Sequence, residues 1–319
     1  SGTAALDTAF HALNLPIGSE IIMPTFTIIS CAQAAVAHGL TPVYVDANPL
    51  TWCMDTIQIE AAITMKTRAI MMVHIYGHPV DANEVCRLAD QYNLKIIEDA
   101  AEAHGATCRG RRCGSFGDIS VFSFYANKLV TTGEGGMVLC NDKVLAKICR
   151  SYKNLFFGHN TRFMHEKLGQ NYRFSNLLAA LGCAQLQQID HALAKKTEIA
   201  RFYHHELSSI SDLQLPVQKP WAKNVYWVYG IVLGDSYSFD AKELSTRLQQ
   251  SGIETRPFFL GMHEQRAIPT ISPRSLVSFP VAERLSRRGL YLPSGLGTDL
   301  HQLKHVVDAL RICLKGNRT

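Results

Sequence analysis

The sequence predicts an α/β protein with a mainly parallel sheet covered by helices on both faces, followed by a smaller α+β domain. Short, continuous apolar runs alternate with helix-like segments through the first half of the chain, which is typical of parallel sheets. After residue 171 this alternation gives way to one long helix and a few mixed elements. With 319 residues, we expect a large domain over 1–190 and a small C-terminal domain over 191–319.

Apolar, β-branched runs and helical spacing place the individual elements. Strands are predicted over residues 20–23, 42–45, 69–73, 95–98, 120–124 and 137–139, with helices near 4–13, 30–38, 57–63 and 82–92. A long helix is predicted from 175 to about 207. Beyond it we expect a strand at 226–233, a helix at 241–251, a short strand near 254–256 and a closing helix at 299–314. Pro216 and Pro220 mark the connecting loop.

The composition indicates a soluble globular protein that binds small ligands rather than a membrane or nucleic-acid-binding protein. Hydrophobic residues make up 47% and charged residues 18%, as in soluble globular chains, and no apolar run could span a membrane. The net charge of +5 comes from scattered residues, which favours small anionic ligands over nucleic acid. Nine cysteines without a CxxC pair indicate reduced thiols in a cytoplasmic protein. Because the chain opens on Ser1 inside a helix-start motif, we expect further residues upstream.

The most informative segment spans residues 120–137, where a lysine follows a predicted strand. Lys128 lies four residues beyond Phe124, in a polar, Gly-rich loop. A loop lysine ordinarily faces solvent. Here the apolar strand before it must be buried, so the loop emerges at the carboxyl edge of the sheet, where α/β proteins bind ligands. Hydroxyl groups and glycines at 131–136 would allow a ligand to approach closely.

Two other segments carry groups that a charged, aromatic ligand could use. Asp99 lies just past a predicted strand tip, where it can cap the next helix or pair with a cationic ring nitrogen. The segment alone leaves both readings open. The opening turn of Ser1, Gly2 and Thr3 leads into a helix, whose free N–H groups and positive dipole end attract anions. Most helix starts share that property, so the turn gains weight only beside the other segments.

Besides the Lys128 loop, six sequence blocks follow one another along the chain: SGTAAL (1–6), MPTFT (23–27), VHIYGHPVD (73–81), EDAAEAHG (98–105), GSFGD (114–118) and NYRFSNL (171–177). In this order and at these intervals they resemble the nucleotide-sugar aminotransferases of the DegT/DnrJ/StrS family. The resemblance covers essentially the whole chain. It implies an enzyme of fold type I that uses pyridoxal 5'-phosphate (PLP), with a seven-stranded type of sheet, and usually a homodimer with shared active sites.

The resemblance also assigns roles to individual residues. Lys128 would be the Schiff-base lysine that later moves the proton between the sugar carbon and the cofactor. Asp99 would keep the pyridine nitrogen protonated, and Glu102 would lie near the ring hydroxyl, at a position that is often Gln in the family. The phosphate would be bound by Gly2, Thr3 and Ser123 of one subunit and by Asn171 of the partner, with Arg173 in the same block.

One position departs from the family pattern, and three others bear on the substrate. Ile28 stands where the family usually carries an aromatic residue on the cofactor ring, so about 0.5–1.5 kcal/mol of stacking is lost. The stretches 73–78 and 254–259, together with His263, resemble the branch that aminates C4 of a GDP-linked 4-keto-6-deoxy sugar with glutamate as donor. Arg256 could bind a diphosphate or the glutamate carboxylate, or it could be a domain-interface residue.

Other functions are weighed against this one. His74 and His78 have the spacing of a helical metal pair, but glycine and proline beside them break the helix, so no metal is expected. A related sugar dehydratase carries histidine in place of the lysine, so Lys128 favours transamination. A truncated, non-catalytic PLP-binding paralogue stays open because of Ile28 and the expected upstream residues. A nicotinamide-dependent dehydrogenase is disfavoured because no strand is followed by GxGxxG.

Overall fold

The fold is described from a computed structural model that covers residues 1–158, 163–165, 167–268 and 278–315. Its first eight strands are β1 (Glu20–Pro24), β2 (Thr41–Val45), β3 (Thr67–Val73), β4 (Lys95–Asp99), β5 (Thr107–Cys108), β6 (Arg111–Arg112), β7 (Ile119–Ser123) and β8 (Gly136–Leu139). Six of them form the large sheet, in the order β2-β1-β3-β4-β7-β8. The β7–β8 pair is antiparallel and the other pairs are parallel.

This sheet confirms the predicted fold class, with six strands in the described part of the chain against the seven expected. All six strands predicted in the first half are present, with ends within two residues of the expected positions. The runs are continuously apolar because helices cover both faces of a parallel sheet. In β1, for example, the side chains of Ile21, Ile22 and Met23 are all fully buried.

Five helices flank the large sheet. Four of them were predicted, whereas the fifth was not, because charged residues interrupt its apolar pattern. Its start is fixed instead by Asp142, whose carboxylate accepts the N–H groups of Val144 and Leu145 at 2.6 and 3.2 Å. The five are α1 (Gly2–Leu13), α2 (Ile29–Ala37), α3 (Ile57–Ala62), α4 (Ala82–Tyr92) and α5 (Lys143–Tyr152), with a 3₁₀ turn at Ile75–Gly77.

The single long helix predicted from residue 175 to 207 is wrong: the chain forms α6 (Asn176–Gln187) and α7 (Ile189–Leu207). At the junction the N–H of Gln188 donates to the carbonyl of Gln185 at 3.1 Å, which tightens the last turn of α6. The two helices also differ in packing, since α6 has no buried residue whereas α7 buries six. Continuous helical propensity could not indicate this change of surroundings.

The C-terminal part holds a four-stranded antiparallel sheet, whose strands lie side by side in the order Arg256–Pro257, Gly289–Leu292, Tyr229–Leu233 and Leu213–Gln214. The predicted strand at 226–233 begins only at Tyr229, because Tyr226 has a left-handed φ of 49°, which a β-strand cannot contain. A strand at 289–292 and a helix at 280–288 were not predicted. The elements are β9 (Leu213–Gln214), β10 (Ala222–Lys223), β11 (Tyr229–Leu233), α8 (Ala241–Gln250), β12 (Arg256–Pro257), α9 (Pro280–Arg288), β13 (Gly289–Leu292) and α10 (Leu300–Leu314), with a 3₁₀ turn at Met262–Glu264.

The two parts are joined through more than the helix α7. β10 pairs with β5, so a third sheet of order β10-β5-β6 brings a C-terminal strand against the first half of the chain. One large apolar cluster surrounds the six-stranded sheet and takes in Trp227, Phe258 and Leu285 from the second half. A second cluster lies among α7, α8, α10 and β11. The expected domain boundary at residue 190 stays a prediction.

The cysteines and the helices of the described residues bear on two predictions made from composition. All nine cysteines lie in the described residues as free thiols, in agreement with their irregular spacing. Within the described residues, none of the helices has both the length and the apolarity of a bilayer-crossing segment.

Candidate active site

A cavity of about 370 Å³ lies at the carboxyl edge of the large sheet. Its walls come from segments that follow β1, β3, β4 and β7, from the start of α1, and from the C-terminal part. Seven residues predicted for the site line it together: Gly2, Thr3, Ile28, Asp99, Glu102, Ser123 and Lys128.

Lys128 enters the cavity from the loop after β7. The loop turns back at once, because the N–H of Lys128 donates to the carbonyl of Tyr125 at 2.9 Å. The side chain is only 10% exposed, and its Nζ lies 3.6 Å from Oε1 of Glu102. On its other side the Nζ lies 3.7 Å from the ring centroid of Trp227. The amine is therefore held between a carboxylate and an aromatic face rather than in solvent.

Two carboxylates at the end of β4 share this cavity. Asp99 is fixed on both oxygens, since Oδ1 accepts the N–H of Ala101 at 2.9 Å and Oδ2 accepts the thiol of Cys31 at 3.2 Å. Glu102 accepts the N–H of Tyr76 at 2.8 Å through its second oxygen. Both side chains are buried. The helix-capping alternative for Asp99 is not what the structure shows, because the helix α4 precedes β4 and no helix begins within the next forty residues.

Burial and neighbouring charges move the pKa of Glu102 upward. Burial raises this pKa from 4.5 to about 7, Lys128 and the hydrogen bond from Tyr76 oppose the rise, and the charge of Asp99 adds to it. Near neutral pH, Glu102 therefore exchanges a proton readily. A buried carboxyl that titrates beside an amine is an arrangement common in acid–base sites.

His104 lies behind this group. Its ring centroid is 5.1 Å from that of Phe122, and neither ring nitrogen has a hydrogen-bond partner among the described residues. Burial, helped by the charge of Lys128, lowers the pKa of His104 to about 4. The imidazole is therefore neutral at physiological pH.

The start of α1 lines the cavity with Ser1, Gly2 and Thr3. Ser1 caps the helix, and its Oγ accepts the N–H of Ala4 at 3.2 Å. A side chain on Gly2 would lie 2.9 Å from the Cβ of Ser123, so only glycine lets the helix start so close to the end of β7. The first N–H groups and the positive end of the helix dipole thus face the cavity beside a serine hydroxyl, an arrangement suited to an anion.

Aromatic residues from the second half of the chain line the cavity and were not among the predicted site residues. They are Trp227, Phe259 and Tyr291. Each lies near a strand end, but nothing in its local sequence distinguishes it from an ordinary core aromatic. Ile28, by contrast, is 40% exposed and is available to a ligand.

Four predicted site residues lie outside this cavity. Asn171 and Arg173 line a separate groove of about 700 Å³ beside α1 and β8. Arg256 pairs with Glu254 at 2.9 Å on the surface, where both side chains are mostly exposed. His263 contacts the hydroxyl of Thr25 at 2.6 Å through Nδ1. Within one described chain, the structure does not bring these four to Lys128.

A buried cluster beneath the site has the residue types of a metal centre. Ligand atoms of His74, Glu98 and Cys113 lie within 4.8 Å of one another. The oxygens of Glu98, however, already accept Nε2 of His74 at 2.9 Å, the hydroxyl of Ser120 at 2.8 Å and three backbone N–H groups of residues 114–117. Nδ1 of His74 accepts the N–H of Val80. With these lone pairs engaged, we interpret the cluster as an anchor for the 114–117 loop.

Comparison with known proteins identifies the family of the chain. The family model of the DegT/DnrJ/EryC1/StrS aminotransferases matches residues 1–311. The chain is 39% identical over 310 residues to GDP-perosamine synthase of Escherichia coli O157:H7, covering 97% of this chain and 83% of the relative. It is 34% identical over 311 residues to GDP-perosamine synthase of Vibrio cholerae, covering 98% and 84%.

Solved structures agree with these relatives. S. venezuelae DesV, solved with a ketimine intermediate, has a TM-score of 0.90 at 34% identity, covering 98% of this chain and 82% of that one. The aminotransferase TlmJ from Streptoalloteichus hindustanus has a TM-score of 0.91 at 26% identity, covering 98% and 84%. Fold type I and the use of PLP are thereby confirmed. The chain belongs to the DegT/DnrJ/EryC1/StrS family of PLP-dependent sugar aminotransferases.

Proposed function

We propose that this enzyme transfers an amino group from glutamate to the 4-keto group of a nucleotide-linked 4-keto-6-deoxy sugar, of the GDP-perosamine type. The observation that carries the proposal is the convergence of Lys128, Asp99 and the start of α1 on one cavity. The choice of GDP as the nucleotide is supported by three relatives named GDP-perosamine synthase at 34–39% identity. Relatives named for dTDP- and UDP-linked sugars match at 34% and 35%, so the base must be tested.

The residues that line the cavity suit PLP. Its volume of about 370 Å³ lies in the range of small-ligand sites, roughly 300–1,000 Å³. Lys128 would hold the cofactor through Nζ, Asp99 would pair with the ring nitrogen, and Ile28 would pack on the ring. The phosphate would be held by Gly2, Thr3 and Ser123. When bound, PLP supplies an electron-accepting ring that carries the amino group between donor and acceptor.

The chain's own groups would move and hold the protons. Nζ of Lys128 would take a proton from the donor carbon and deliver one to the sugar carbon. Glu102, 3.6 Å away and titrating near pH 7, can hold a proton while Lys128 is engaged. Asp99, fixed by Ala101 and Cys31, would stay oriented through both half-reactions.

A homodimer with shared sites is part of the proposal. Asn171, assigned to the partner's phosphate site, lies outside its own chain's cavity, as a residue that reaches into a second subunit would. The nearby helix α6 exposes Leu177 at 85%, Leu181 at 45% and Leu186 at 57%, an apolar surface that a second copy would cover. Sedimentation at micromolar concentration should give twice the chain mass, whereas a monomer would refute this part. A cytoplasmic location, expected from the cysteines, also remains a proposal.

The first experiment tests the cofactor lysine. The purified protein with PLP should show a visible absorbance band, and borohydride should fix the cofactor onto the peptide that contains Lys128. Lys128→Ala should abolish that adduct, whereas Lys195→Ala, a surface lysine paired with Glu198, should retain it. A Lys128→Ala protein that still forms the reducible adduct would overturn the assignment.

The second experiment identifies the substrate. Glutamate is supplied with GDP-4-keto-6-deoxy-mannose and, separately, with dTDP- and UDP-linked 4-keto sugars, and the aminated product is measured by mass spectrometry. We expect amination of the GDP sugar at C4. A clear preference for a dTDP or UDP sugar would overturn the choice of base, and amination of none would support a non-catalytic PLP-binding protein.

A further inference from the structure

Lys196 in α7 is a buried lysine to which the proposed reaction gives no part. Its side chain is 6% exposed, and its ammonium donates to the carbonyls of Trp227 at 2.7 Å and Ser294 at 2.5 Å. Burial lowers its pKa to about 8, so the charged form still prevails at neutral pH. Among the described residues no carboxylate pairs with it within 4 Å. A buried ammonium without a counter-ion is destabilising, and here the carbonyls of Trp227 and Ser294 are what stabilise it.

Both carbonyls belong to segments that border the active site. Trp227 lies two residues before β11, and Ser294 lies two residues after β13, its antiparallel neighbour. The hydroxyl of Ser294 also accepts the N–H of Tyr229 at 3.3 Å. Lys196 therefore ties the active-site ends of two C-terminal strands to the helix that joins the two halves of the chain.

Trp227 in turn contacts the loop that carries the reactive lysine. Its Nε1 donates to the carbonyl of Asn127 at 2.8 Å, and its ring lies 3.7 Å from Nζ of Lys128. The indole is 5% exposed, so little water competes for the ammonium. A continuous set of direct contacts thus runs from Lys196 through Trp227 to Lys128.

We propose that Lys196 is a positioning residue for Lys128. By fixing the backbone of Trp227, it keeps the indole ring against the Lys128 amine and the amine inside the cavity. The inference rests on the proposed function only in treating Lys128 as the reactive lysine. The alternative hypothesis is that Lys196 only donates hydrogen bonds to two carbonyls and stabilises the fold, without any effect on Lys128.

The test measures the exposure of Lys128 directly. Full-length protein without PLP is methylated with formaldehyde and cyanoborohydride, and the rate at the Lys128 peptide is followed by mass spectrometry. We expect Lys196→Met and Trp227→Leu each to raise that rate about tenfold, as expected when a buried cation–π contact is lost. Lys196→Arg should remain near wild type. Lys195→Met, on the same helix but with a side chain that is 28% exposed and paired with Glu198, is the matched control and should have no effect.

The double variant decides whether Lys196 acts through Trp227. Lys196→Met added to Trp227→Leu should change the rate by less than about twofold. If the two substitutions instead raised the methylation rate independently, so that their factors multiplied in the double variant, the inference would be overturned. So would a Lys196→Met protein that melts earlier while Lys128 is methylated at the wild-type rate. If the wild-type protein forms no borohydride-fixed PLP adduct, the proposed function fails, whereas the methylation rates still decide this inference.

Discussion

Glu102→Gln should remove a pH dependence of stability that originates in the active site. The substitution keeps the size of the side chain and its acceptor for the N–H of Tyr76, but it removes the ionisable proton. Glu102 is buried beside Lys128 and Asp99. Its charge also acts on the hydroxyls of Tyr76 and Tyr291 and on the thiols of Cys31 and Cys53. Burial has a larger effect than any of these groups and raises its pKa from 4.5 to about 7.

The sign and size of the effect follow from this rise. Between pH 4.5 and 7 the folded protein binds this proton more tightly than the unfolded chain does. The stabilisation is therefore complete below pH 4.5 and is lost as the pH rises through 7. Because Glu102 is only 7% exposed, the loss corresponds to roughly 3 kcal/mol in the free energy of unfolding.

Urea unfolding of the PLP-free protein at pH 5 and pH 8 provides the assay. The other titrating groups contribute equally to both proteins. From pH 5 to pH 8 the free energy of unfolding of Glu102→Gln should therefore rise by roughly 3 kcal/mol relative to that of the wild type. In a Lys128→Met background the transition of the protein that retains Glu102 should move to higher pH, because Lys128 lowers the pKa of Glu102. A difference in stability between the wild-type and Glu102→Gln proteins that stays constant over this range would refute the reasoning.

Three other predictions concern the cofactor face, the loop anchor and metals. Ile28→Tyr should tighten PLP binding about two- to tenfold in a fluorescence titration, since a ring would stack where Ile28 is 40% exposed; an unchanged Kd would place Ile28 away from the ring. Glu98→Ala should cost about 3–5 kcal/mol of stability in urea at pH 7, because His74 and the 114–117 loop lose their acceptor, and a loss below about 1 kcal/mol would contradict the anchor. Dialysis against EDTA should leave the melting temperature and PLP affinity unchanged, and a fall restored by zinc would show that the His74 cluster binds metal.

The fold was predictable largely because its signals are local. The strands of the large sheet are four to seven residues long and are built around short apolar runs, which are typical of a parallel sheet covered on both faces. Prediction failed where neighbours rather than propensity set the structure. The break at Gln188, the shortened strand before Tyr229 and the capped start of α5 at Asp142 all depend on contacts that periodicity does not encode.

The class of enzyme and the seven cavity residues from Gly2 to Lys128 could be predicted from sequence, because the blocks that carry them resemble those of one enzyme family. How the charges of these residues interact could be seen only in the folded chain. The pKa of Glu102 depends on burial and on a lysine 26 positions away, and Trp227 meets Lys128 across 99 positions. The first contact requires the loop after β7 to fold back over the end of β4, and the second requires the two halves of the chain to pack together, so no local pattern could have given them.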